Sequence, residues 1–172
     1  MFDIYKSNTH DAARFLLGGS GEPRLIVVGL NPSAASSEKS DTAVSKVKKV
    51  AENAGYRGFI MTNLYPLRST DPHGLPENCN EQLLIENIEH VERIASTESA
   101  PTFWAAWGSD IVLRPYLKQA MSELNEMVKR LNGNWVHFGD LTQKNHPRHP
   151  SRLAYAWEFK DFDIAQYEKI IT

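Results

Sequence analysis

An asparagine fixed by a following proline at a strand end presents its amide, a donor beside an acceptor, with little freedom. Asn31 stands so in Gly29-Leu-Asn-Pro-Ser33, where Pro32 biases it toward an extended backbone. The same residues also read as a turn whose Asn caps its own backbone. A second amide, Asn63, lies in Thr62-Asn-Leu-Tyr-Pro-Leu-Arg68, followed by an aromatic and a cation. Such an amide can match a nucleobase edge bidentately, or it can be an interior Asn satisfied by its neighbours. Arg68 reads as a binding cation or as a surface residue paired with Asp71. The third group is Lys144-Asn-His-Pro-Arg-His-Pro-Ser-Arg152, in which five of nine residues are basic or titrate near neutrality. Pro147 and Pro150 stiffen this loop, so His149 and Ser151 are held at low entropic cost, an arrangement suited to phosphate or anion contacts. Read as metal ligands, His146 and His149 lack partners at a supporting spacing, and Cys79 has no nearby base to make it a nucleophile.

These groups need rigid elements behind them. Arg24–Leu30 is a β-branched run without alternation, as in a strand covered on both faces. Val44, Val47, Val50, Ala51 and Ala54 recur at helical spacing, with Ser40 or Asp41 as the cap and Gly55 at the stop. Gly58–Leu64 makes the second strand of a βαβ unit. A helix is expected over about 80–95, a strand over Thr102–Gly108, a helix from Pro115 to Leu131 and a strand over Asn134–Gly139. A short helix is expected near Asp11 to Leu17, and another at the end of the aromatic and acidic tail. Tyr155, Trp157, Phe159 and Phe162 of that tail either close a sheet edge or form an exposed partner surface. Alternating strands and helices imply one α/β domain over 1–172, three layers (α/β/α) around a central, mostly parallel four-stranded sheet. Ligands of such sheets bind outside the carboxyl ends of the strands, where all three chemical groups fall.

The chain has 172 residues, 19 Lys and Arg against 21 Asp and Glu, and a net charge of −2, so bulk charge does not drive nucleic-acid binding and any such contact is local. The single Cys79 excludes an internal disulfide and a four-cysteine zinc site. The first residues lack the layout of a signal peptide, and no apolar run approaches the roughly 20 residues that cross a bilayer, which makes the cytoplasm the expected location and a membrane partner unexpected. The phosphate loop of NTPases, the glycine fingerprint of dinucleotide enzymes and the nucleophile elbow of hydrolases are missing, and no cofactor is expected.

In order and placement, Gly29-Leu-Asn-Pro-Ser33, Thr62-Asn63 and His149-Pro-Ser151 together resemble motifs of the uracil-DNA glycosylase superfamily. Within it the chain most resembles the DUF1643 proteins of bacteria and phages. Their motifs are met at Leu30–Ser33, Gly55–Gly58, Asn63–Tyr65, Arg68–Pro72, Ala106–Gly108 and Pro147–Pro150. The resemblance implies a uracil-DNA glycosylase-like fold and a pocket for a nucleobase-containing ligand or nucleic acid. It implies Asn31 as the group that orients the attacking water and His149 as the donor to a base carbonyl. Asn63 would read the base edge, Ser151 with Arg148 or Arg152 would contact phosphate, and Leu30, Pro32, Ser33, Tyr65 and Arg68 would complete the binding site. An amide orients water but cannot take its proton, so either slow hydrolysis of an N-glycosidic bond or binding without cleavage is implied. Leu153 is the one candidate for a wedge replacing a flipped base, and Tyr65 or Tyr56 for a stacking aromatic.

Overall fold

The structure, a computed structural model, describes residues 1–171. Its strands are β1 (Ile4–Ser7), β2 (Arg14–Gly19), β3 (Arg24–Gly29), β4 (Gly58–Asn63), β5 (Thr102–Ala105), β6 (Asn134–Phe138) and β7 (Phe159–Asp161). Its α-helices are α1 (Thr42–Asn53), α2 (Glu81–Ala95), α3 (Pro115–Arg130) and α4 (Ile164–Ile171). The strands form one sheet in the order β1-β2-β4-β3-β5-β6-β7. The expectation of four strands is thereby corrected to seven. β4, β3, β5 and β6 pair parallel, while β1, β2 and β7 add antiparallel at the two edges, which makes the sheet mixed.

Alternation along the parallel strands builds two cores. Leu25, Val27, Met61 and Trp104 face α1, which contributes Val44, Val47, Val50 and Ala51. Ile26, Val28, Ile60 and Phe103 face the opposite layer, where α2 supplies Leu84 and Val91 and α3 supplies Leu117, Met121 and Leu124. α1 starts where Asp41 accepts the Val44 amide hydrogen at 2.9 Å, so the cap is Asp41 and not Ser40.

Two further sequence expectations change. The segment 11–17 is not a helix: its last four residues open β2, where Leu17 pairs with both Tyr5 of β1 and Met61 of β4. Its apolar cluster fits a helical stripe as well as a strand, and the backbone bonds offered on both sides decide for the strand. In the tail, Phe159 pairs with Phe138 at the sheet edge and Phe162 is buried, so these aromatics close the sheet, while Tyr155 is exposed.

Candidate functional site

A cleft of about 690 Å³ opens beyond the carboxyl ends of the parallel strands. Leu30, Asn31 and Ser33 line it from the end of β3, and Arg148, His149, Ser151 and Arg152 from the loop after β6. Asp41 and the first residues of α1 line a further wall, and Trp107-Gly-Ser-Asp110 lines another from beyond β5.

Asn31 is held by its donor edge. Its Nδ2 donates to Ser69 O at 2.9 Å and to Pro32 O at 3.1 Å. Carbonyl oxygens only accept, so the amide orientation is fixed, and Oδ1, without a hydrogen-bond partner among the described residues, is the acceptor Asn31 can offer a ligand.

His149 is held by its Nδ1, which accepts from Ser151 N at 3.1 Å and lies 2.8 Å from Ser151 Oγ. Two donors on Nδ1 leave the proton of the neutral ring on Nε2. Burial pushes the imidazole below its ordinary pKa, against the opposing pull of Asp41 and Asp110, so the ring is a neutral Nε2–H donor near pH 7. The Cβ and backbone of His149 lie against a glycine. A side chain at Gly108 would put its Cβ 3.2 Å from His149 Cβ, and Gly108 has φ +74° and ψ −168°. The loop behind His149 is tied to the core by a buried chain: Trp107 Nε1 donates to Tyr167 Oη at 3.1 Å, and Tyr167 Oη is hydrogen-bonded to His146 Nδ1 at 2.7 Å. This bond ties His146 to α4 through Tyr167. Among the described residues no group of three or more His, Cys, Asp or Glu is placed to bind a metal ion.

Arg148 donates from Nε to Asp140 O at 2.8 Å and lies 5.4 Å over the Trp157 ring, so its guanidinium is oriented. Ser151 belongs to His149 through the bond to Nδ1, and its carbonyl accepts from Lys46 Nζ of α1 at 2.9 Å.

Other expected site residues do not line the cleft. Asn63 is buried between β4 and β3, where its Oδ1 fills the space a side chain at Gly29 would need, and its carbonyl accepts from Asn87 Nδ2 at 2.8 Å. Asn63 is thus interior, but its buried Nδ2 has no hydrogen-bond partner among the described residues. Tyr65 is fully buried beside Tyr116, its hydroxyl accepting from Asn80 N. Arg68 pairs with Asp11, not Asp71, and donates to Ser33 O and Ala35 O, bracing the loop that carries Asn31. Pro32 acts through its carbonyl, which takes bonds from the Asn31 side chain and from the Ser69 amide. Leu153 and Tyr56 both pack, partly buried, against the α1-side core.

The profile described as "Protein of unknown function (DUF1643)" matches residues 14–151. The chain belongs to the DUF1643 family. The match spans β2 through the cleft-lining Ser151, so every cleft-lining residue but Arg152 is family sequence. No curated protein and no solved structure matches the chain. No helix among the described residues is long and apolar enough to cross a membrane.

Sequence reasoning missed the carboxylates. Asp41 was read as a cap alone, and Asp110 follows the family motif Ala106-Trp-Gly108, whose place at a third strand end was the available signal.

Proposed function

We propose that the cleft binds a nucleobase-containing ligand and hydrolyses its N-glycosidic bond. The observation that carries this reading is the placement, on the walls of one cleft, of a fixed acceptor, Asn31 Oδ1, and a fixed neutral donor, His149 Nε2–H. Negative charge grows on the base as the bond breaks, and a neutral imidazole donor steadies it without first losing a proton. Asn31 orients the attacking water. The charged side chains lining the cleft are Asp41, Asp110, Arg148 and Arg152, two of each sign. That balance suits a neutral heterocycle with any phosphate at the arginine side. With Asn63 buried, the base edge is met by groups of the cleft wall such as Thr142 and the Ser69 and Thr70 segment.

Binding without cleavage is the second reading, favoured by Asn31, whose donor edge is spent on the backbone and whose amide takes no proton. Titrating ¹⁵N-histidine-labelled protein with uracil, thymine, hypoxanthine and their nucleosides tests the pocket itself. Either reading predicts a shift of the His149 Nε2–H resonance with at least one of them, and no shift with any contradicts both.

A further inference from the structure

Asn31 can orient water but not accept its proton, so hydrolysis in this cleft needs a base from elsewhere. Two carboxylates line it. Asp41 is engaged, its Oδ1 accepting the Val44 amide hydrogen at the start of α1. Asp110 is not. It is half-buried on the short helical turn Ser109–Leu113, and its carboxylate has no hydrogen bond or ion pair to any described residue. A partly desolvated carboxylate facing a cleft without a partner gains nothing for the fold, and two residues before it Gly108 gives up a side chain to His149. The stretch that carries the carboxylate thus also lies against His149.

We infer that Asp110 is the general base of the hydrolysis, a reading that rests on the proposed function. Water held by Asn31 Oδ1 forms its bond to the anomeric carbon and gives a proton to the Asp110 carboxylate. The C–N bond breaks with its electron pair going to the base nitrogen, against the His149 Nε2–H, and the departing base regains a proton from Asp110 or solvent. The products are the free base and the sugar hemiacetal.

The test is single-turnover base release by wild type, Asp110→Asn and Asp41→Asn, from oligonucleotides carrying uracil, mismatched thymine or hypoxanthine and from the free nucleosides. Melting temperature is measured alongside. Asp110→Asn is isosteric and is expected to keep the wild-type melting temperature and to lose about 100-fold or more in rate. Release by Asp110→Asn at the wild-type rate overturns the role of Asp110 and leaves the hydrolase reading standing. Absence of release by the wild type from every substrate overturns the hydrolase reading and the base with it.

Discussion

Gly108→Ala probes the joint on which the cleft depends. At φ +74° and ψ −168°, Gly108 occupies backbone space essentially closed to side chains, and an added Cβ would stand 3.2 Å from His149 Cβ. The backbone strain alone costs about 1–3 kcal/mol. For a domain of this size each kcal/mol lowers Tm by about 2–4 °C, so the variant should melt about 2–12 °C lower. Because the contact is with His149 itself, the imidazole must give by a few tenths of an ångström. Thermal melting and long-range ¹H–¹⁵N spectra of the histidines read the two effects separately. A Tm within about 1 °C of wild type, with the His149 resonances unmoved, would refute the claim that Gly108 is glycine because His149 needs the room.

Asn31→Asp, the change that would seem to install a carboxylate, should fail: it sets an acceptor against Ser69 O and Pro32 O and costs about 2 kcal/mol near neutrality. The new carboxyl would have a raised pKa in the fold, so its cost should be least in acid and grow as pH rises through that value; equal urea midpoints for variant and wild type at neutral pH would contradict the assigned amide orientation. Tyr167→Phe removes the acceptor of Trp107 and the hydroxyl bonded to His146 in the interior and should cost about 1–3 kcal/mol, with altered His146 ring signals; unaltered signals would break the proposed chain. Burial lowers the pKa of His137, His146 and His149, so their share of stability is full above about pH 6.5 and is lost as pH falls through the folded values. His149→Gln should flatten that acid limb, and urea midpoints measured from pH 7.5 to 5 would show an unchanged slope if His149 were solvated.

The parallel strands were legible because each is an uninterrupted apolar run ending in Asn, Gly or Pro, a pattern few other arrangements produce. β2 was not. Arg14-Phe-Leu-Leu-Gly-Gly19 carries a buried arginine whose Nη1 reaches Ala35 O, a partner distant in sequence, and nothing local distinguishes it from a helix end. β7 is three residues long and exists through its pairing with β6. In the site, Asn31 and His149 were visible because proline fixes both segments. Asn63 looked equivalent to Asn31, but it stands on the strand and not beyond it, so the sheet buries it. Asp110 was passed over because Ala-Trp-Gly reads as strand until Gly108 turns the chain.

The central claim is that Asn31 and His149 form one hydrolytic site, and base release tests it most directly. Excess protein is mixed with single- and double-stranded oligonucleotides carrying uracil, mismatched thymine, hypoxanthine or alkylated bases, with His149→Ala and Asn31→Ala in parallel. The account predicts release of at least one base by the wild type and its loss in His149→Ala, with Asn31→Ala slowed. Release that persists unchanged in His149→Ala, or no release of any base by the wild type, would contradict it.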